Sequence, residues 1–321
     1  MSDIDTLLKM YLTLPFQIIY SFISFFLSLY LTKLIIPLLT KYFIDLPKKR
    51  GSHYLPKPKA GGIVFLFLSI LIFLLNKKFL YLLALPLGII SLMDDFMGLS
   101  TKFRLIFQTS IASFFLILDN NSFIDLNMGF LSLILTICYL IIFVGVINTI
   151  NFMDGIDGLV CGCMLIIILT ISIRYDISYL PISFSLLGFL FFNWSPAKVF
   201  MGEVGSTFLG FLYAAILLRS DTITKFSEIF LILFPLLADA FSCRLRMLIK
   251  GRNIFKPHKF HLYQRLHQAG LNHSTVSSIY LIATLALALS LFIFNIYVSY
   301  SLAFIIFIIG FYLEKKVAIK F

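Results

Sequence analysis

The sequence has few charged residues for its length. Only 13% of its 321 residues are Asp, Glu, Lys or Arg, whereas 60% are hydrophobic. A soluble domain carries about a quarter charged residues. This shortage excludes a disordered chain and a water-soluble enzyme with one membrane anchor. Because a transmembrane helix takes ~20 apolar residues, the length allows roughly ten or eleven crossings and no separate soluble domain. The composition predicts an all-α polytopic membrane protein, with residues 1–321 as a single integral domain.

Cysteine is also scarce, and the cysteines form no CxxC pair. All of them lie in apolar stretches: Cys138, Cys161, Cys163 and Cys243. This pattern excludes a disulfide scaffold and gives no sign of a thiolate metal site. We therefore expect small buried hydrophobic side chains at these positions.

Eleven apolar runs predict eleven transmembrane helices, with ten as the alternative. The runs are 14–39, 61–75, 79–93, 103–118, 129–147, 158–173, 179–192, 204–218, 228–249, 275–293 and 296–313. If the helices alternate from an outside N-terminus, most of the 26 Lys and Arg residues face the cytoplasm. The positive-inside rule thus predicts an N-terminus outside and a cytoplasmic C-terminus. The net charge of +11 is then explained by anionic lipids or substrates, not by nucleic acid.

Several acidic residues fall on the predicted cytoplasmic side, at or near the membrane boundary. They are Asp94, Asp95, Asp154, Asp157, Glu203 and Asp239. A carboxylate near hydrocarbon is costly unless it is paired, solvated or bound to a cation. Their shared side is the main indication of a functional site.

Asp94 and Asp95 are adjacent at the predicted inner end of the third helix. Adjacent carboxylates raise each other's pKa unless a cation lies nearby. Two interpretations remain open: a solvated helix end with Lys102 and Arg104 as partners, or a ligand site.

The segment 148–159 is the most informative. Asn148, Asn151, Asp154 and Asp157 recur at intervals of three, which would place them on one face if the segment is helical. Mg²⁺ prefers carboxylate and carbonyl oxygens. This spacing favours ligand binding over a polar helix cap.

A glycine-rich helix start follows at 202–206, where Glu203 lies between two glycines. A helix N-terminus suits a phosphate, and a carboxylate suits a metal that bridges it. A purely structural helix start explains the same pattern equally well.

Two segments on the predicted cytoplasmic side are basic. In the segment 250–270, His258 and His261 are three apart and could orient a phosphate, but no neighbouring cysteine or third ligand indicates zinc. The segment 48–62 is typical of a surface that binds anionic lipid. His273 is expected at the membrane surface.

The order of the motifs resembles the polyprenyl-phosphate N-acetylhexosamine-1-phosphate transferases, relatives of the phospho-N-acetylmuramoyl-pentapeptide transferase. The resemblance covers roughly residues 40 to 275. The motifs are Asp94-Asp95, the 148–157 stretch, the 201–206 stretch and the 258–265 loop. The segment 257–266 is most similar to the bacterial branch that initiates O-antigen and related surface glycans.

This resemblance implies transfer of a sugar 1-phosphate from a UDP-N-acetylhexosamine to undecaprenyl phosphate, with release of UMP. It implies Mg²⁺, often replaceable by Mn²⁺, and a multi-pass transferase of the bacterial inner membrane with a cytoplasmic active site. The expected partners are the two substrates and membrane lipid; a homodimer is left open. The sugar could be GlcNAc, GalNAc, N-acetylfucosamine or N-acetylquinovosamine.

The resemblance also implies roles by position. Asn151 and Glu203 would ligate the metal, with Asp154 beside it, and the catalytic set would be Asp94, Asp95 and Asp154. The implied substrate-binding residues are Asp157, His258, His261, Arg265, Arg246 and Lys49. The family usually has Asp where this chain has Glu203, and the extra methylene shifts the carboxylate by ~1.5 Å.

Two questions stay open at this point. Direct attack of the lipid phosphate on the β-phosphorus is favoured over a covalent aspartyl intermediate, which would bring two anions together. A secondary transporter of an anionic solute is the alternative function, although its site is expected near the bilayer centre.

Overall fold

The computed structural model describes residues 2–46, 55–119, 129–252 and 258–321, with side chains described from residue 13 onward. The helices are α1 Ser2–Tyr42, α2 Ile63–Leu75, α3 Ala84–Met97, α4 Thr101–Leu118, α5 Phe130–Met153, α6 Leu159–Arg174, α7 Leu180–Asn193, α8 Gly202–Leu218, α9 Ile223–Ile232, α10 Phe234–Ile249, α11 Leu262–Gln268, α12 His273–Ile293 and α13 Ile296–Lys316. Two 3₁₀ turns, Phe79–Leu83 and Ile177–Tyr179, precede α3 and α7. The strands β1 Ile44–Asp45 and β2 Lys57–Pro58 form an antiparallel ribbon.

Each apolar run of the sequence coincides with one helix and any 3₁₀ turn that leads into it, except that 228–249 forms the bent pair α9 and α10. Among the described residues, 6 helices are long and apolar enough to cross a membrane, or 7 if α9 and α10, which meet at 73°, are one span. The helices α2, α6, α7 and α8 are apolar but shorter. The all-α polytopic prediction is confirmed. The eleven crossings and the outside N-terminus stay predictions.

Large apolar side chains cover much of the outer surface. Phe26 on α1, Ile117 on α4 and Phe304 on α13 are examples of exposed residues. In a water-soluble protein such apolar patches would favour aggregation, but in a membrane protein they suit contact with lipid. Most helices therefore have one face toward the protein and one toward the membrane.

Helix α8 forms the centre of the molecule. Its residues are buried from Val204 to Leu218, and it packs on α2, α3 and α5. The rings of Phe115, Phe143 and Phe211 cluster beside it, with centroids 5.3 to 5.8 Å apart. Small residues let the backbones approach, as is common between membrane helices.

A tight turn joins α3 to α4. Gly98 adopts a left-handed conformation with φ of 71° and ends α3, which a residue with a side chain would do at a cost. Ser100 then caps α4, since its hydroxyl accepts a hydrogen bond of 3.3 Å from the N–H of Phe103. The last turn of α3 and the first turn of α4 are thereby held side by side.

The ribbon fastens a basic segment to the start of α8. In its register Ile44 pairs with Pro58, and Asp45 pairs with Lys57. The carbonyl of Pro58 accepts a hydrogen bond of 2.8 Å from the N–H of Phe200. The segment 57–59 therefore lies against the chain that leads into α8.

Candidate active site

Asp94 and Asp95 lie side by side at the end of α3 but have different partners. Asp94 Oδ2 lies 2.9 Å from Arg104 Nη1, across the turn between α3 and α4. Asp95 accepts a hydrogen bond of 3.1 Å from the N–H of Val204, and its Oδ1 lies 3.5 Å from Lys59 Nζ. Each carboxylate has its own cation, which reduces the repulsion between them.

Glu203, in the first turn of α8, connects this pair to the end of α5. Arg104 Nη1 lies 3.1 Å from Glu203 Oε2, so the guanidinium bridges Glu203 and Asp94. The side-chain amide of Asn151 donates hydrogen bonds to Glu203 and, at 3.0 Å, to Ser206 Oγ. Four helices, α3, α4, α5 and α8, thus meet at one set of helix ends.

Asp154 follows α5 directly and is partly buried. Burial raises its pKa well above the usual value, and the nearby charges of Glu203, Asp95 and Asp157 raise it further. Asp154 therefore belongs to the same group of acids. We refer to the following residues as the acid cluster: Asp94, Asp95, Asn151, Asp154 and Glu203.

Asp157 is buried beside two basic side chains. Its Oδ2 accepts a hydrogen bond of 2.9 Å from the N–H of Ala197 and lies 3.5 Å from Lys57 Nζ, while Oδ1 lies 3.2 Å from His273 Nδ1. Burial raises the pKa of Asp157, but His273, the Ala197 N–H and Lys57 outweigh it, so the pKa is lowered overall. His273 is partly buried and fastens α12 to Asp157, and its place at the membrane surface stays a prediction.

Asp239 on α10 is the centre of a second cluster. Its carboxylate accepts hydrogen bonds from the N–H groups of Leu262 at 2.7 Å and Tyr263 at 3.2 Å, and from the hydroxyl of Tyr280 at 2.7 Å. His261 Nδ1 lies 3.6 Å from Asp239 Oδ1, beyond hydrogen-bond distance. Asp239 therefore anchors the start of α11 and does not join the acid cluster.

Arg246 and Arg265, implied donor-binding residues, are both directed at Glu314 on α13. Arg265 Nη1 lies 3.0 Å from Glu314 Oε1, and Arg246 contacts the same carboxylate oxygen. Arg265 is buried, and its Nε donates a hydrogen bond of 2.7 Å to the carbonyl of Ile319. In this structure the two guanidinium groups hold the C-terminal segment and are not turned toward the acid cluster.

His258 and His261 lie beside Cys243 on α10. The imidazole rings stack with 5.2 Å between their centroids, and burial, with His261 and Arg244, lowers the pKa of His258 to about 4. One ligand atom from each of the three residues lies within 4.8 Å of the others. The expectation that no cysteine accompanies the histidine pair is wrong, because α10 brings one from a distant part of the chain. Cys138, expected to be buried, is exposed.

Tyr263 connects the two clusters. Its hydroxyl donates a hydrogen bond of 3.0 Å to the carbonyl of Phe152, beside Asp154. A side chain at Gly155 would collide with the Tyr263 ring, so this glycine allows the close approach. The segment 258–265 thus borders the acid cluster through one tyrosine.

The structure brings together five predicted site residues, the acid cluster, and places Asp157 beside them. His258 and His261 lie in the second cluster, near Asp239 and Cys243. Arg246 and Arg265 contact Glu314 on α13. Lys49 is outside the described residues. Sequence reasoning missed Lys57 and Lys59 as site residues and treated Arg104 only as an ordinary partner. The available signal was the Lys57-Pro58-Lys59 motif directly before the glycine pair that opens α2.

The acid cluster offers donors of the kind that a hard divalent cation takes. Its donors are carboxylate oxygens and the carbonyl oxygen of one amide, which are the ligands that Mg²⁺ takes in proteins. Arg104 and Lys59, which pair with Asp94 and Asp95, offset part of the negative charge of the cluster. The chemistry of this donor set suits Mg²⁺ better than a softer metal.

The chain is similar to several known membrane transferases. The family model described as Glycosyl transferase family 4 matches residues 78–221. An undecaprenyl-phosphate alpha-N-acetylglucosaminyl 1-phosphate transferase of Thermotoga maritima is 34% identical, covering 70% of this chain and 73% of the relative. A probable undecaprenyl-phosphate N-acetylglucosaminyl 1-phosphate transferase of Bacillus subtilis is 28% identical over 81% of both chains. A phospho-N-acetylmuramoyl-pentapeptide-transferase of Staphylococcus saprophyticus is 29% identical, covering 73% of this chain and 82% of the relative.

Proposed function

This chain belongs to glycosyl transferase family 4, and we propose that it transfers an N-acetylhexosamine 1-phosphate from a UDP-sugar to undecaprenyl phosphate, releasing UMP. The observation that carries the proposal is the convergence of the acid cluster with Arg104 and Lys59 at one set of helix ends. Phosphoryl transfer needs in-line positioning and neutralisation of the charge on phosphate oxygens. A pocket with both signs of charge at the end of a lipid-exposed helix bundle suits a reaction between a lipid phosphate and a soluble diphosphate.

Mg²⁺, replaceable by Mn²⁺, is the proposed cofactor. Asn151 and Glu203 would hold it, with Asp154 beside them, since the Asn151 and Glu203 side chains already touch. When bound, the ion neutralises the donor diphosphate and stabilises UMP as the leaving group. Glu203, whose side chain is one methylene longer than the usual Asp, reaches Asn151 from the first turn of α8.

Asp94 and Asp95 serve the acceptor in this proposal. A phosphate monoester has its second pKa near ~6 and is largely dianionic at neutral pH. The aspartates therefore need only steer it or accept a proton from its minority form. An acceptor oxygen forms a bond to the β-phosphorus as the bond to the bridging oxygen breaks, which releases UMP. Arg104 positions Asp94 and Glu203 for this step.

The basic ribbon is the proposed border of the donor site. Lys57 and Lys59 extend over Asp157 and Asp95 and offer ammonium groups to a diphosphate. Asp157 would serve the nucleotide side of the donor site, since it pairs with Lys57 and its Oδ1 has no hydrogen-bond partner among the described residues. The segment before α11 borders the site through Tyr263.

We place the enzyme in the bacterial inner membrane with the acid cluster facing the cytoplasm, where UDP-sugars are made. The basic residues assigned to that side support this orientation. The reaction would be the first membrane step of O-antigen or related surface glycan synthesis.

The test is UMP release by purified protein from a panel of UDP-sugars. The expected result is release that requires both undecaprenyl phosphate and Mg²⁺ and stops with a chelator. A control variant, Asp221→Asn, alters an exposed acid that pairs with Lys225 outside the cluster and keeps the rate. Uptake of an anionic solute into proteoliposomes without UMP release would instead support the transporter.

A further inference from the structure

The second cluster contains a set of side chains suited to a metal other than Mg²⁺. Cys243 lies on α10, and His258 and His261 precede α11. One sulfur or nitrogen atom from each lies within 4.8 Å of the other two. Cys243 and His261 are buried, and His258 is partly buried. Thiolate and imidazole ligands select zinc, whereas Mg²⁺ takes oxygen.

A buried nitrogen without a partner points to the same place. His261 is 3% exposed, and its Nδ1 has no hydrogen-bond partner among the described residues. A buried polar atom without a partner is costly and requires an explanation. The Asp239 carboxylate, 3.6 Å away, is already held by three donors.

The positions of these residues along the chain fit a tetrahedral site. Asp239 and Cys243 are four residues apart, on one face of α10, and His258 and His261 are three apart in a single segment. Cys243, His258 and His261 can supply three of the four ligands, and cysteine and histidine are the usual ligands of structural zinc. Asp239 Oδ1 lies 3.6 Å from His261 Nδ1, so this carboxylate adjoins the three candidate ligands without being one of them.

We propose that Cys243, His258 and His261 bind a zinc ion, with Asp239 as the adjoining carboxylate. Zinc there fastens the segment before α11 to α10 and fixes the position of Tyr263. Tyr263 donates to the Phe152 carbonyl beside the acid cluster, so the ion supports one wall of the active site. The site is separate from the acid cluster in its ligands and in its elements, and it does not depend on the proposed reaction.

The test measures metal content and uses full-length protein without a polyhistidine tag. After incubation with zinc and dialysis, elemental analysis should find about one zinc per chain. Cys243→Ser and His261→Ala should each lower the content by about tenfold or more. Cys138→Ser, which alters an exposed cysteine elsewhere, should keep it. Retention of zinc by Cys243→Ser, or its absence from the wild type, would overturn the proposal.

Cobalt spectroscopy of the wild type covers the case in which the variants fail to fold. Co²⁺ bound to a thiolate gives an intense near-ultraviolet absorption band that nitrogen and oxygen ligands do not give. We expect this band in the wild type and its loss on competition with zinc. Its absence after cobalt loading would contradict the proposal. Neither readout involves UMP release, so failure of the zinc site and failure of the transferase function remain distinguishable.

Discussion

The carboxylate of Asp95, at the end of α3, accepts a hydrogen bond of 3.1 Å from the backbone N–H of Val204, in the first turn of α8. The end of one helix therefore meets the beginning of another through a charged group. A carboxylate is stabilised at a helix N-terminus, where the backbone N–H groups are unpaired. This contact places Glu203, the residue before Val204, beside Asp94 and Arg104.

Gly202→Ala should disrupt this contact. Gly202 has φ of 73°, and a Cβ there would lie 2.5 Å from Asp95 Oδ2 and 2.6 Å from the Ala60 nitrogen. We expect a loss of most UMP release and a destabilisation of about 1–3 kcal/mol, measured as initial rates and thermal unfolding. Gly251→Ala is the control, since φ is 63° with nothing within 4 Å of the added carbon. Equal losses in both variants would mean that backbone strain, and not contact with Asp95, is responsible.

Arg104→Gln should reduce turnover by about 10²-fold, because it removes the guanidinium that bridges Asp94 and Glu203. Arg104→Lys should recover part of the rate, since its ammonium keeps the positive charge but lies on a shorter side chain than Nη1, the nitrogen that contacts both carboxylates. Lys102→Gln changes an exposed basic residue in the same turn of α4 and should keep the rate. Wild-type rates for Arg104→Gln would show that the bridge has no role in turnover.

Glu203→Gln should raise the Mg²⁺ concentration needed for half-maximal rate by more than Glu203→Asp does. The amide removes the negative charge, whereas aspartate keeps it on a shorter side chain. Titration of UMP release with Mg²⁺ and with Mn²⁺ measures both effects, and thermal unfolding with and without metal provides a second readout. The proposed metal-binding role fails if the three proteins share one metal dependence.

Asp157 should make the stability depend on pH in the acid range. Its pKa is lowered from an ordinary value near 3.8, so its stabilising contribution is complete above that value and disappears as pH falls through the lowered pKa. Asp157→Asn should lower the free energy of unfolding by about 1–3 kcal/mol at neutral pH. The difference from wild type should shrink as pH falls below about 4. Thermal unfolding in detergent across this range is the measurement, with Asp221→Asn as control; a pH-independent difference would contradict this account.

Hydropathy was sufficient to predict the helices, because each apolar run must satisfy its backbone groups internally within the membrane. The acid cluster was predictable for a related reason: Asp94, Asn151 and Glu203 are costly next to hydrocarbon unless they bind something. The bend between α9 and α10 was not predictable from the run 228–249, because hydropathy shows which residues are apolar and not the direction of the helix axis.

The basic partners could not be assigned in the same way. Lysines and arginines are abundant in any loop that faces an anionic membrane, so Lys57 and Lys59 looked ordinary until the ribbon placed them over carboxylates. Cys243 and His258 are separated by a loop, and their proximity follows only from tertiary packing. The contact of His273 with Asp157 was not predictable, because the two residues lie far apart in sequence.

The complete burial of α8 has a consequence for how the molecule is made. Of the neighbours that enclose it, α2, α3 and α5 all precede it in the chain. These three helices are therefore synthesised before α8, whereas α9, which accepts a hydrogen bond from Tyr213 of α8 at the carbonyl of Ile229, is synthesised after it. Glu203, in the first turn of α8, is then the last member of the acid cluster to be synthesised, because Asp94, Asp95, Asn151 and Asp154 all precede it in the chain.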